Sequence, residues 1–397
     1  MAYAQYAPDF QIRISGEAMP AAVRAVVTSV KYEDGQNAAD RVEIGLANPN
    51  LRWLQRHIRG LGFQGFPTGI KIGPVRVADA APEGTFDIDN KLTLSMGYAQ
   101  APLEEMFKGE VTGLNVNYPN GGMPTMTLVA HDYMNRLTQG SKARGFGLLP
   151  DFLIASILSA ENLLIPMIDP TITAASTAVA VVKAIFSMSG TKQGSRASGE
   201  SDFAFLTRIA EFYDADFWVE GDVLYLSRFL KDYSPRLTLT WGESLMEFSP
   251  TVSTVGQVAG VSMKFTLREI PLNFLVSVSW DFDRETLAIA IVPGEAAAGA
   301  AAVSGPNFSI VDKPISSPAD IAANALLILR KLRKKLNSRV TGSGSAIGDP
   351  RIRAGAVIRL EGLGPDFSGD YRIASANHSM DSGGYRTSFQ VFKEIIP

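Results

Sequence analysis

His57, His131 and His378 are the only imidazoles in the chain, and with no cysteine beside them they are its only nitrogen or thiolate metal ligands among the side chains usual in zinc sites and the side chains that ordinarily titrate near neutral pH. They lie far apart, and none has a second histidine at metal-ligand spacing, so no metal site is predicted. His131 and Asp132 are direct neighbours at the end of an apolar strand. Adjacent strand residues point to opposite faces, which assigns the two to strand-end hydrogen bonding rather than to joint acid-base work. Carboxylates come in close pairs at Asp87 and Asp89, Glu104 and Glu105, Asp214 and Asp216, and Asp281 and Asp283, the raw material of a glycoside hydrolase. Each pair sits near a turn or helix end, where solvated caps account for it.

Gly60-Leu61-Gly62-Phe63-Gln64-Gly65 spells the dinucleotide glycine fingerprint, which requires a strand before it and a helix after it. A short helix candidate over residues 51–59 precedes it, and Pro67 and Gly69 follow, so an ordinary glycine-rich loop is predicted. The chain has no Walker phosphate-binding pattern and no Gly-x-Ser-x-Gly elbow. Arg330, Lys331, Arg333, Lys334 and Lys335 form the one basic cluster, in the last turns of a predicted helix. Cations there complement the macrodipole, so a solvated helix end is favoured over a nucleic-acid patch. The expected catalytic, cofactor-binding and metal-binding residues are therefore none, and no cofactor is expected.

The elements that would position any site read as mostly strands. Period-2 alternation places them at residues 10–14, 23–32, 41–46, 91–96, 110–117 and 125–130, with turns at Ser15-Gly16, Asp34-Gly35 and Pro119-Asn120-Gly121-Gly122. Residues 149–164 and 174–188 are apolar and alanine-rich without alternation, which predicts helices split by Pro166 and Pro170. A Gly/Ser-rich loop follows over 189–200. Ser201 then caps a helix that lines up Phe203, Leu206, Ile209, Ala210 and Tyr213, and a hairpin turns through Glu220-Gly221-Asp222. Strands resume at 236–241, 257–267 and 274–280. An alanine and glycine loop spans 293–306, and Ser317-Pro318-Ala319-Asp320 opens a long helix. Strands at 356–360, 370–375 and 385–392 finish the chain.

With 397 residues the chain exceeds one ordinary core. The expected fold class is mainly β with inserted helices (α+β): two β-barrel-like tube domains and a smaller helical and hairpin unit. The boundaries fall at 1–145, 146–233 and 234–397, the last containing the long helix at about 318–337. A net charge of −3 supplies no global attraction to nucleic acid or anionic lipid. The N-terminus lacks a basic segment followed by an apolar run, which predicts cytoplasmic synthesis. The apolar stretch 163–188 is broken by Pro166, Asp169, Pro170 and Lys183, so it reads as a buried helical segment, or one covered on assembly, rather than a membrane span.

The order of these pieces resembles the phage late control gene D family, the baseplate hub proteins of contractile tails and of phage-derived injection systems. Tyr6-Ala7-Pro8-Asp9-Phe10 with Gly16 is similar to its opening strand and turn. Phe107-Lys108-Gly109-Glu110-Val111 and Leu128-Val129-Ala130-His131-Asp132 resemble its next paired strands. Ser201-Asp202-Phe203-Ala204-Phe205-Leu206 with Ile209-Ala210 resembles its middle helix, and Trp241, Ser244-Leu245 and Phe248 the return to strands. The ending is the most specific: Gly348-Asp349-Pro350, Ala354-Gly355, Glu361-Gly362-Leu363-Gly364, Phe367-Ser368-Gly369-Asp370-Tyr371, His378 and Tyr385-Arg386-Thr387. Residues 163–196 depart from the family in being longer and more apolar.

The resemblance implies a structural hub that links a sixfold tail tube to a threefold spike and forms part of the central channel. It implies a homotrimer in the virion baseplate, with the spike on a separate polypeptide. The implied partners are that spike, the tail tube or tube-initiator protein and the baseplate wedge proteins, with DNA only as cargo and no stable membrane insertion. Two other functions are weighed against it: a peptidoglycan hydrolase using a carboxylate pair, and a membrane-active module built on 163–188. Gly362, Gly364 and Gly369 are expected at positive φ in sharp strand connections.

Overall fold

The computed structural model describes residues 7–36, 38–47, 86–140, 145–147, 149–187, 200–213, 215–227, 234–253, 260–267, 273–281, 286–293, 307–315 and 339–393. The helix predicted at 51–59, the glycine fingerprint, the loop 189–199, the tract 294–306 and the long helix with its basic cluster lie outside the described residues.

The N-terminal strands are β1 (Pro8–Ile14), β2 (Glu17–Ala18), β3 (Val27–Gly35), β4 (Arg41–Ala47), β5 (Lys91–Tyr98), β6 (Glu104–Asn117) and β7 (Thr125–Asp132), with the short helix α1 (Ala21–Arg24) before β3. The predicted strand 23–32 thus begins in a helix: Pro20 at the N-cap starts it, and the strand forms only from Val27. The ladder runs β3-β4-β7-β6-β5-β1-β2, antiparallel throughout. Alternate residues such as Val42, Ile44 and Leu46, or Leu92, Leu94 and Met96, are fully buried on one face and make the first core. The period-2 pattern in the sequence is this face.

The middle packs α2 (Met134–Thr138), α3 (Asp151–Glu161), α4 (Pro170–Ser187) and α5 (Asp202–Tyr213) against a three-stranded sheet of β8 (Ile165–Ile168), β9 (Asp216–Glu220) and β10 (Val223–Ser227). Ser201 Oγ accepts the Ala204 N–H at 3.1 Å, so the predicted cap is present. Leu206, Ile209, Ala210 and Tyr213 of α5 enter a second core with Leu158, Leu224 and Leu226. β8 is a strand the prolines concealed. It is short, contains Pro166 and pairs only with β10, a sheet-edge position that tolerates a missing N–H.

The C-terminal strands are β11 (Leu237–Thr240), β12 (Leu245–Val252), β17 (Val340–Ile347), β18 (Val357–Glu361), β19 (Gly369–Asp381) and β20 (Gly384–Lys393). Between β12 and β17, the strands β13 (Gly260–Leu267), β14 (Asn273–Asp281), β15 (Thr286–Pro293) and β16 (Asn307–Ile315) form a separate sheet in the order β15-β14-β13-β16. Leu239, Leu245, Ile358, Tyr371, Phe389 and Val391 belong to a third core.

β19 joins the two ends of the chain. Its first half pairs with β18, and Ser375 to Met380 pair with Gly35 to Val30 of β3, giving one 13-stranded sheet. Past that seam, Met380 and Tyr385 at the β19–β20 turn are buried in the first core. The Tyr98 hydroxyl donates to the Gly348 carbonyl at 2.8 Å across the same boundary.

The connection before β19 is a folding element. Gly364–Phe367 form the short helix α6, the Tyr371 hydroxyl donates to the Phe367 carbonyl at 2.7 Å, and Gly362, Gly364 and Gly369 have φ of +83°, +79° and +136°. Gly369→Val should cost about 1–3 kcal/mol through that φ. Ser368→Ala removes only a hydrogen bond from the Leu363 N–H, 3.1 Å in the wild type, and should cost about 1 kcal/mol or less. Thermal melting of the two variants side by side checks the order.

Candidate functional site

The seam between β3 and β19 brings together a cluster of buried ionisable groups. Tyr32 and Asp34 lie on the inward face of β3, Asp40 in the turn to β4, and Asp132 at the end of β7, where the backbone N–H of Asp132 donates to the Asp40 carbonyl at 3.0 Å. From the C-terminal side, Arg353 reaches in. Its Nε donates to Asp34 Oδ2 at 2.6 Å and its Nη2 to the Tyr32 hydroxyl at 2.7 Å, while the Ala354 N–H donates to the same Asp34 oxygen at 3.0 Å. The Tyr32 hydroxyl in turn donates a hydrogen bond to Asp40 Oδ2 at 2.7 Å, completing a chain from guanidinium to carboxylate.

His378 backs this chain, its ring stacked on Tyr32 with centroids 5.8 Å apart. Nε2 faces the Ile352 carbonyl at 2.9 Å and must carry the proton, which leaves Nδ1 to accept from Tyr385 Oη at 2.9 Å. Burial then holds His378 neutral, its pKa lowered to about 4. It is a strut between strands, already satisfied on both nitrogens.

A cavity of about 430 Å³ opens at the seam, with Asp34, Asp40, Asp132, Trp218, Arg353 and Arg372 among its lining residues. His378, Asp132 and the Ala354-Gly355 motif each stand out in the sequence, but nothing there shows that they meet. Asp34 and Gly35, expected in a turn, are instead the last residues of β3, paired with β19; the meeting of Asp34, Asp40 and Arg353 depends on that register, which spans over three hundred residues.

The other candidate residues stay apart. Thr112 Oγ1 and His131 Nδ1 lie 2.6 Å apart, and burial lowers the His131 pKa. Asp132 turns to the opposite face and is buried. Glu104 and Glu105 are exposed at the start of β6, Asp89 sits in a turn with φ +70°, and Asp216 is exposed at the start of β9. Asp214, Asp283 and His57 lie outside the described residues. Among the described residues, no group of three or more His, Asp or Glu is arranged to hold a metal.

A second surface is apolar. Leu153 and Ile157 on α3 are exposed one turn apart, and Leu163, Ile165 and Met167 continue outward at 77%, 59% and 54% exposure. The stretch 163–188 is therefore not one buried helix. Its first residues are a turn and β8, and the first three turns of α4 bury the stripe Ile172, Ser176 and Ala180. No helix among the described residues is long and apolar enough to cross a membrane.

Leu163 ends α3 in a Schellman motif. The Leu164 N–H donates to the Ser159 carbonyl at 2.8 Å and the Leu163 N–H to that of Ala160 at 3.1 Å, with Leu163 at φ +59°, a place usually held by glycine. Leu163→Gly should stabilise the free subunit by about 1 kcal/mol, a gain readable as a raised urea midpoint.

The fold is one that phage tail proteins share. A prophage MuSo2 43 kDa tail protein from Shewanella oneidensis superposes with TM-score 0.57 at 11% identity, over 98% of this chain and 99% of that one. A tail protein from Neisseria meningitidis MC58 matches with TM-score 0.57 at 11% identity, over 98% and 97%. The E. coli c3393 protein, a type VI secretion component similar to the T4 tail proteins gp27 and gp5, matches with TM-score 0.50 at 11% identity, over 96% of this chain and 76% of that one. No protein-family model and no curated protein sequence matches the chain.

Proposed function

We propose that the protein is a structural baseplate hub of a contractile phage tail or injection system, not an enzyme, joining a sixfold tube to a threefold spike as a homotrimer. The observation that carries this reading is the end-to-end likeness to tail proteins, covering 98% of this chain and 99% of the Shewanella prophage protein. A likeness confined to one module would leave room for a grafted activity; this one spans the chain.

The residue-level facts agree with a role played by shape. The buried polar cluster joins β3 to β19, and among the described members of the carboxylate pairs Glu104, Glu105 and Asp216 are exposed at strand starts. We divide the chain into 1–145 and 234–397 as two tube domains around the helical unit 146–233. Three subunits would then place six β units around a central axis through which DNA or another cargo passes. The spike, the tube or tube initiator and the wedge proteins are the partners, and the virion baseplate is the location.

Co-expression with candidate tube and spike proteins from the same genome tests the reading. The expected result is a complex that survives gel filtration. Loss of peptidoglycan turbidity on adding the purified protein would instead support the cell-wall hydrolase.

A further inference from the structure

Three carboxyl groups, Asp34, Asp40 and Asp132, meet at the seam, and Arg353 is bonded to the first of them. Asp34 takes Arg353, leaving Asp40 with the Tyr32 hydroxyl and the Gly35 N–H at 3.4 Å. Asp132 receives backbone N–H groups from Met134, Asn135 and Asp40, and its Oδ1 is buried with no donor. Asp40 keeps part of its surface in solvent, yet its carboxyl lies inside, between Tyr32 and Asp34. Two carboxylates that share a buried site cannot both ionise cheaply. The other charged groups near the cavity are spread around its wall: Glu105 and Lys108 on β6, Glu220 on β9, and Arg236 and Arg372 on the C-terminal side. Lys108 is engaged by Asp222.

The geometry points to a proton-loaded joint: Asp40 and Asp132 together hold a proton while Arg353 is docked on Asp34, and losing that proton loosens the β3–β19 seam. Burial, followed by the charge of Asp34, pushes Asp40 up to about 7, and burial with the charge of Asp40 raises Asp132 well above the ordinary carboxylate range. A raised carboxyl pKa means the folded chain keeps a proton that the unfolded chain has released. The stability it contributes is full below about pH 4 and is lost as the pH climbs to about 7. His378 works in the opposite direction, its contribution being present above about 6.5 and lost as the pH falls toward 4. A comparison of wild type with a variant that keeps His378 cancels that second effect.

Asp40→Asn can still accept from Tyr32 and cannot ionise. The difference in melting temperature between this variant and wild type should be smallest at about pH 4, grow to several degrees in the variant's favour by about pH 7, and flatten above that. Amide exchange over residues 30–35, compared between the two at each pH, should be slower in Asp40→Asn above about pH 7 and closest to equal at about pH 4. In wild type, carbon-13 carboxyl NMR should show an aspartate titrating near neutrality that is absent from the variant. If Asp40→Asn does not fold, Asp132→Asn and the wild-type titration carry the same test. A melting difference independent of pH, or wild-type aspartates that all titrate below pH 5, would overturn the joint.

Discussion

Arg353→Ala should destabilise the protein by about 3 kcal/mol, the lower end of what removing one partner of a buried ion pair costs. The lower end applies because the arginine side chain keeps 28% of its surface exposed while Asp34 keeps 9%. The loss has three parts: Asp34 is stranded, the Tyr32 hydroxyl loses a donor, and the guanidinium no longer packs over the Tyr32 ring, 5.1 Å away in the wild type. Combining Arg353→Ala with Asp34→Asn should cost less than the sum of the two changes, because the stranded charge disappears. Urea denaturation of the four proteins measures this coupling, and strictly additive costs would show that the pair contributes nothing to the seam.

Gly109→Ala should cost more than about 3 kcal/mol, beyond ordinary overpacking. Gly109 lies in β6 opposite Asp132, and a Cβ there would sit 2.1 Å from the His131 carbonyl oxygen and 2.6 Å from the Phe107 ring. The oxygen belongs to the backbone of a central strand, so it cannot step aside without breaking the β6–β7 ladder. Gly113, four residues along the same strand, is the control. A Cβ there meets only Val129 at an ordinary 3.8 Å, and Gly113→Ala should be neutral or stabilising by up to about 1 kcal/mol. Similar melting temperatures for the two variants would contradict the packing described for β6 and β7.

How much of this was legible in the sequence depended on whether the signal was local. β1, β4, β5, β7 and β20 were visible because each buries alternate apolar residues on one face. α5 was visible through its cap and its 3.6-residue stripe. β17 was not, since Val340–Ile347 reads as a Gly/Ser linker. Its glycines are where aromatic rings from neighbouring strands lie: a Cβ on Gly342 would meet the Phe248 ring at 2.6 Å, and one on Gly344 the Phe389 ring at 2.8 Å. The strand is made by its neighbours' side chains, which no window along the chain contains. β12 hid for a related reason, its Pro250 being tolerated in the edge strand of the large sheet.

The same division holds for the seam. Gly362, Gly364 and Gly369 could be read as turn glycines one at a time. The cluster of Tyr32, Asp34, Asp40, Asp132 and Arg353 appears only once β19 is registered on β3, and neither strand shows that pairing by itself. Asp132 drew notice as a neighbour of His131, yet its buried partner is Asp40, ninety-two positions away in sequence.

If the protein is a threefold hub, native mass spectrometry of the purified chain with its spike protein should find a complex holding three copies of this chain. A chain that stays monomeric with spike and tube protein both present would contradict it.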